Sequence, residues 1–318
     1  MEAAERALFE SGVRHVTESA SDADLDAALD DLGWTDALDA DRATAVPVLF
    51  ECLGAAHATS SALDWLLAAV LGTATGRPAV VLPALRSCDP PGRVNGGRCM
   101  VEGLGTAALG RSGAALVMTK APAGVAAFSI ATEALERRPV HGLDPALGLF
   151  EVTGAFDVDP TTDGPRADWE GAVAVGQLAL GSELVGAARA MLELARVHAL
   201  ERIQFGRPIA TFQAVRHRLA ETLVAVEAAA ALLDAAWEDP SPVTAGMAKA
   251  FAGRSARSAA RHCQQVLAGI GFTTEHPLHL FIRRTIVLDQ LLGGGSQLTR
   301  QLGADILRSS TLPPAFPL

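Results

Sequence analysis

The feature that most constrains this chain is a long helical pattern that begins near residue 168. Phe212, Val215, Leu219, Val226 and Leu233 follow one another at spacings of 3, 4, 7 and 7, which places them in one stripe along a single helix. The segment DPSP at 239–242 ends that helix, because proline cannot continue one. Helical spacing predicts further helices over 171–203, 244–269, 278–292 and 296–309. Residues 166–318 are therefore expected to form a bundle of four or five antiparallel helices.

The two regions before the bundle differ in composition and in hydrophobic pattern. Residues 1–76 show helical spacing with acidic caps, as in DADLDAALDDLGW, and predict an N-terminal helical domain. Residues 77–165 are rich in glycine and proline and contain short runs typical of strands: AVVLPAL, AALVM and VAAFSI. The segment PTTDGPR at 160–166 has the composition of a linker. The sequence thus predicts a mainly α protein with N-terminal helices, a reduced central β domain and a C-terminal helical bundle.

Composition and charge exclude several classes of protein. A net charge of −10 over 318 residues disfavours a nucleic-acid surface. The first residues, MEAAERALFE, are charged and amphipathic and do not resemble a signal peptide. The apolar stretch at 62–72 is too short to cross a bilayer and contains Asp64. The four cysteines lack CxxC spacing, so neither a metal site nor a disulfide framework is indicated. We expect no nucleic-acid or membrane partner and a cytoplasmic location.

Three segments of the helical region carry motifs. ERIQFGRPIATFQAVRHRLAE occupies 201–221, QQVLAGIGFTTEHPLHLFIRR occupies 264–284, and LLGGGSQLTR occupies 291–300. In this order and spacing they resemble the C-terminal domain of the acyl-CoA dehydrogenase family. The family patterns are R-x-Q-F-G-x-P with F-Q downstream, then Q-V-x-G-G-x-G-[YF]-x-x-E-x-P, then Y-E-G-T-[SN]-E. DDLGW and LFECLGAAHATSSAL also look like N-terminal helices of the family, so the resemblance covers most of the chain.

The resemblance implies FAD as the cofactor. A dinucleotide needs a cation and amide donors for its pyrophosphate and a flat surface for its adenine. In the family the first two motifs hold the ADP half of FAD across a subunit interface, so here they would serve the flavin of a neighbouring chain. The residues implied to bind FAD are Arg202, Gln204, Phe205, Gly206, Phe212, Gln213, Gln265, Val266, Ala268 and Gly269, with Ala268 in place of one glycine of the pattern.

The third motif lacks the residue on which the family's chemistry depends. Residues 291–297, LLGGGSQ, lie on the family pattern I-Y-E-G-T-S-E, so Gly293 occupies the position of the catalytic glutamate. That reaction removes the α-proton of an acyl-CoA thioester while a β-hydride passes to the flavin, and it needs a carboxylate of tuned pKa. Glycine cannot supply one. The triple glycine is also a helix joint, since glycine disfavours a helix interior.

A base could lie elsewhere in the bundle. Some members of the family carry it on the helix that leads into R-x-Q-F-G, and counting back from Phe205 places that position near Gly176, again without a carboxylate. Glu183 on the same helix and Asp289, one turn before Gly293, are the nearest alternatives. The competing interpretation is that each is a surface or capping charge.

The β region departs further from the family. Neither the T-E-P-x-x-G-S strand nor the W-[IV]-[TS] that cradle the flavin ring occurs in LPALRSCDPPGRVNGGRCM. The chain therefore resembles the short, non-catalytic subunits of heteromeric (α2β2-type) acyl-CoA dehydrogenases of bacterial steroid catabolism. This implies a homologous catalytic subunit as partner, a steroid-derived acyl-CoA as substrate, an electron-transfer flavoprotein as acceptor, and a lone chain without activity. Two alternatives stay open: a self-sufficient homomeric dehydrogenase with a relocated base, and a flavin-free assembly or interaction protein.

Overall fold

The computed structural model describes residues 3–72, 77–121, 124–158 and 165–312, and all structural statements below concern these residues. The N-terminal part consists of helices α1 (Ala3–Ser19), α2 (Leu25–Asp31), α3 (Trp34–Ala40), α4 (Arg42–Ala56) and α5 (Ala62–Leu71). The C-terminal part consists of α7 (Trp169–Glu201), α8 (Gln213–Glu238), α9 (Pro242–Leu267), α10 (Leu278–Gln290) and α11 (Gly295–Ser309), with a short hairpin, β8 (Ile203–Gln204) and β9 (Arg207–Pro208), between α7 and α8.

A seven-stranded sheet lies between the two helical parts. Its strands are β1 (Ala79–Val80), β2 (Gly92–Asn95), β3 (Arg98–Gly105), β4 (Ala114–Ala121), β5 (Gly124–Ala131), β6 (Leu135–Pro139) and β7 (Phe150–Asp157), with the single-turn helix α6 (Ala108–Arg111) before β4. The order is β1-β4-β2-β3-β7-β6, and β5 pairs with β4. Only β1 and β2 run parallel to β4; the other pairs are antiparallel. The three strand-like runs of the sequence are confirmed as β1, β4 and β5.

The core of the protein is centred on α7. This helix has the length and hydropathy of a membrane span, but 94% of that apolar window is buried inside the protein. It packs against α4 at two glycines: a Cβ on Gly54 would strike the carbonyl of Glu183, and one on Gly186 would strike the carbonyl of Glu51. The two backbones therefore touch, and the apolar length of α7 is used to build the core of a bundle.

The predicted mainly α architecture is confirmed, and the bundle contains five helices within the described residues. The last three helices begin and end within a few residues of the sequence-based bounds. The proposed linker at 160–166 lies largely in a segment outside the described residues, so the domain boundary there stays a prediction.

Candidate functional site

The first two motifs lie at one end of the bundle. Helices α7, α8 and α9 alternate in direction, so the end of α7, the start of α8 and the end of α9 come together. A hydrogen bond of 2.9 Å between Thr222 Oγ1 and His262 Nδ1 joins α8 to α9 near this end. We call the segments 202–213 and 265–272 at this position the bundle end. Nine of the ten residues that sequence reasoning assigned to FAD lie on it with exposed or half-exposed surfaces; Val266 is buried in the core.

The hairpin of the bundle end presents an aromatic ring to solvent. Phe205 and Gly206 both have positive φ, +53° and +77°, the pairing of a type I′ turn. Phe205 is 92% exposed, and its only ring contact among the described residues is edge-on to Phe212, with centroids 6.1 Å apart. A bulky residue in the left-handed region and in solvent is unfavourable for folding alone. Arg202, beside it, is exposed and forms no ion pair within the described part of the chain.

The second segment contains the last residues of α9 and the turn that follows them. Gln265 is exposed, Ala268 has φ +52°, and nothing lies within 4 Å of where a Cβ on Gly269 would be. Phe272, which matches the [YF] position of the second motif but was not among the residues assigned to FAD, is 73% exposed and adds a second aromatic ring. A free guanidinium, free amides, an open backbone and exposed rings are the groups that an ADP moiety requires, so the bundle end fits the ADP half of FAD.

The joint at 291–295 has a fixed conformation. Leu292 and Gly293 have φ of +51° and +95°. Gln177 Nε2 donates to the carbonyl of Leu292 at 2.9 Å, and Lys249 Nζ donates to the carbonyl of Gly293 at 2.5 Å. A Cβ at Gly293 would lie 2.8 Å from Cys88 Sγ and 2.9 Å from Leu298 Cδ2. Both the backbone angle and the neighbouring side chains therefore exclude a glutamate here in this conformation.

The second family position for a base is adjacent to the first. A Cβ on Gly176 would lie 2.5 Å from Leu292 Cδ1, so the side chain next to Gly293 fills the space above Gly176. Leu292 is 1% exposed. Gly293 and Gly176, the two positions where the family carries its carboxylate, are therefore neighbours, and the Leu292 side chain fills the space at Gly176.

Asp289 and Glu183 are not surface charges, because each lies in the core beside an arginine. The capping interpretation holds in part for Asp289, whose Oδ1 accepts from the backbone N–H of Gly295, the first residue of α11, at 3.4 Å. Asp289 is 3% exposed and its Oδ2 accepts a hydrogen bond of 2.5 Å from Arg257 Nη1. Glu183 is 6% exposed, with its Oε1 3.6 Å from Arg284 Nη1. Burial raises the pKa of Glu183 to about 7, against the opposing effect of Arg284. Neither pair could be predicted from sequence spacing, since the partners lie on different helices.

A cavity lies where the sheet meets the bundle. This junction cavity of about 520 Å³ is lined by residues of the 88–90 loop, the end of β4, the start of β5, and helices α7, α9 and α11. A flavin ring presents several acceptor atoms that need donors. The buried side-chain donors in these walls are already engaged: Trp169 Nε1 with the carbonyl of Cys88 at 2.8 Å, and Gln177 Nε2 with that of Leu292. These side chains do not fit the flavin ring, in agreement with the missing ring motifs.

The C-terminal part of the chain is similar to known proteins. Residues 168–307 match the family described as acyl-CoA dehydrogenase, C-terminal domain. The acyl-CoA dehydrogenase IpdE2 of Mycobacterium tuberculosis is 33% identical over 172 residues, which are 54% of this chain and 52% of that protein. The chain therefore carries an acyl-CoA dehydrogenase C-terminal domain, and its matched part spans about half the length of the curated relatives.

Solved structures extend the likeness to the whole fold. A variant of the Tcur3481-Tcur3483 steroid acyl-CoA dehydrogenase matches 96% of this chain and 98% of its own chain, with a TM-score of 0.80 and 22% identity. A chain of the ChsE4-ChsE5 complex from Mycobacterium tuberculosis matches 99% of this chain and 99% of its own length, with a TM-score of 0.75 and 22% identity. The domain match covers residues 168–307, and the likeness of the whole chain to these solved structures is one of fold.

Proposed function

We propose that this chain is the non-catalytic subunit of a heteromeric, FAD-dependent acyl-CoA dehydrogenase. The observation that carries the proposal is the contrast between its two sites. At the base positions, Gly293 is packed by Cys88 and Leu298 and Gly176 by Leu292. The bundle end, within the described residues, keeps a free cation, free amides and an exposed ring. A homologous partner chain would supply the catalytic carboxylate and the flavin-ring site.

The division of labour follows from the residues. FAD bound in the partner would supply the acceptor for the β-hydride of the acyl-CoA thioester. In this chain, Arg202 would bind the pyrophosphate, Gln204 and Gln265 would donate hydrogen bonds to the ADP half, and Phe205 would cover the adenine. Gly269 allows close backbone approach. The complex is cytoplasmic in this proposal and passes electrons to an electron-transfer flavoprotein.

The substrate class rests on the named relatives. Two of the similar structures come from a steroid acyl-CoA dehydrogenase and from a complex of two differently named chains. We extend both properties to this chain: a steroid-derived CoA thioester as substrate and a heterotetramer as the assembly. A chain that fills its own cleft with Leu292 leaves the partner's cleft as the site for a bulky acyl group.

The test is the visible spectrum of the chain purified alone and after co-expression with an acyl-CoA dehydrogenase encoded beside it. We expect flavin absorbance only in the co-purified complex, and bleaching by an acyl-CoA. In the complex, Arg202→Ala should lower flavin retention at least tenfold, while Arg300→Ala, an exposed arginine on α11, should leave it unchanged. Stoichiometric, bleachable flavin in the lone chain, or unchanged retention in Arg202→Ala, contradicts the proposal.

One observation favours the homomeric alternative. Glu183 is buried, and its raised pKa of about 7 suits a general base. The cavity beside it measures only about 40 Å³, too small for a thioester. If Glu183 is nevertheless the base, a Glu183→Gln variant of the lone chain loses turnover that the wild-type chain shows. No turnover by the wild-type chain alone removes this alternative.

A further inference from the structure

The junction cavity has an apolar interior and a charged rim. Its walls include Trp169, Val173, Met247, Leu298 and Leu302. Charged side chains of both signs stand at its mouth: Lys120, Asp89, Glu170 and Asp305. A cavity of about 520 Å³ with such walls has the size and polarity of a small-molecule pocket. The mixed rim selects no particular ligand charge.

One wall residue carries an unused hydrogen-bond acceptor. Gln177 is 3% exposed, and its Oε1 has no hydrogen-bond partner among the described residues. The amide orientation is fixed, because Nε2 donates to the carbonyl of Leu292 at 2.9 Å and lies 3.7 Å from Cys88 Sγ. Oε1 therefore faces the opposite way, 3.7 Å from where a Cβ on Gly246 would lie; Gly246 also lines the cavity and leaves that space open.

An unpaired buried acceptor determines what fits beside it. Leaving such a group unpaired costs free energy that a ligand donor recovers. The buried wall donors, Trp169 Nε1 and Gln177 Nε2, are engaged, so a ligand rich in acceptors would leave its own groups unpaired. The matching molecule is uncharged, largely apolar, and carries a hydroxyl or N–H donor at one end.

We propose that the junction cavity is a binding site for an uncharged, largely apolar molecule whose hydroxyl or N–H group donates to Gln177 Oε1. The site adjoins Gly293 through Cys88 and Leu298. Its acidic side chains, Asp89, Glu170 and Asp305, stand at the exposed mouth, so we assign binding and no reaction to this site. The inference does not depend on the proposed role of the bundle end. A chain that never assembles with a dehydrogenase would still have this site.

The test uses two fluorescent probes and the full-length chain. 2-Naphthol has a hydroxyl donor, and 2-methoxynaphthalene has the same rings without it. We expect 2-naphthol to bind about tenfold more tightly, as the loss of one hydrogen bond predicts. Gln177→Met should abolish that preference. Gln301→Met, on the exposed rim of the same cavity, should keep it. Equal binding of the two probes to the wild-type chain, or a preference that survives Gln177→Met, overturns the proposal.

A second measurement locates the bound probe in the wild-type chain, without substituting Gln177. Cys88 lines the cavity and is half-buried, whereas the other three cysteines are buried. Saturating 2-naphthol should slow alkylation of Cys88 by N-ethylmaleimide at least threefold, as read by peptide mass. An unchanged alkylation rate at saturation overturns the proposal. So does displacement of 2-naphthol by riboflavin with stoichiometric flavin retained, because the cavity would then be a flavin-ring site.

Discussion

Lys249 is one of two lysines in the chain, and its side chain is fully buried. Its amine donates to the carbonyls of Asp289 and Gly293, at 3.0 and 2.5 Å, and so ties α9 to the joint between α10 and α11. Desolvation lowers the pKa of Lys249 to about 8, although Asp289 opposes the shift. Lys249 thus stabilises, together with Gln177, the backbone conformation of the joint that contains Gly293.

The lowered pKa predicts how stability depends on pH. Between pH 8 and 10.5 the unfolded chain holds the Lys249 proton and the folded chain has lost it, so the free energy of unfolding rises with pH across this window. Relative to Lys249→Met, the wild-type protein should gain about 2 kcal/mol from pH 7.5 to pH 10, measured by urea unfolding. Lys120→Met, with its side chain on the surface, is the matched control and should run parallel to the wild type. Parallel profiles for all three proteins would contradict the assignment.

At the scale of elements, α4 and α7 meet through Gly54 and Gly186, with backbone against backbone. Gly186→Ala should lower the free energy of unfolding by about 2 kcal/mol or more, because neither helix backbone can yield without separating the pair. Gly303→Ala on α11 is the matched control: nothing lies within 4 Å of the added methyl, so it should stabilise by roughly 0.5–1 kcal/mol. Chemical unfolding of both variants measures the difference. A stable Gly186→Ala protein would refute the described packing.

The β8–β9 hairpin allows binding to be separated from folding. Phe205→Asn creates Asn-Gly, the preferred pair for a type I′ turn, so thermal stability should stay equal or rise by a few degrees. Retention of flavin by the assembled complex should fall several-fold, because the exposed ring is lost. Leu312→Asn removes an exposed apolar side chain beyond α11 and should change neither quantity. A hairpin variant that melts early but keeps its flavin would assign Phe205 a purely structural role.

The elements show which properties a single sequence reveals. The apolar stripe through Val226 and Leu233 predicted α8 correctly, because helical periodicity directly reflects which face is buried. Phe212 was wrongly included in the helix: it precedes α8 as the N-cap residue, in extended backbone. The motif positions likewise located Gly293 and Gly176, and the structure brings both under Leu292. The partners of Glu183 and Asp289 could not be predicted, since Arg284 and Arg257 meet them only through tertiary packing. The unpaired Gln177 Oε1 was hidden for the same reason.

At the scale of the whole molecule, one buried arginine connects the three parts. Arg284 of α10 is fully buried and donates to the carbonyl of Ala58 at 2.9 Å, to Thr59 Oγ1 at 3.0 Å, and to the carboxylate of Asp144. Glu183 of α7 is its second acidic neighbour. The N-terminal helices, the sheet region and the bundle therefore share one ionic centre, and its loss should be felt across the chain.

Arg284→Met should destabilise the protein by about 3–5 kcal/mol, because it leaves Asp144 and Glu183 buried without a counter-charge. The deficit should be smaller at pH 5 than at pH 8. Burial already raises the pKa of Glu183 to about 7, and the loss of Arg284, which opposes that shift, raises it further, so Glu183 is neutral in the folded variant at pH 5. Differential scanning calorimetry at both pH values is the measurement. Arg283→Met, the exposed neighbour, should stay close to wild type, and a pH-independent deficit would argue against the ionic centre.

The exposed ring of Phe205 and the unpaired guanidinium of Arg202 contribute little to the folding of their own chain. Random variants scored for expression, solubility or melting temperature would therefore show these positions as freely replaceable. The same screen would show Arg284 and Gly186 as intolerant. Selection on the isolated polypeptide is blind to the surface through which we propose that it serves its partner, and only a screen that reads the assembled pair would detect damage there.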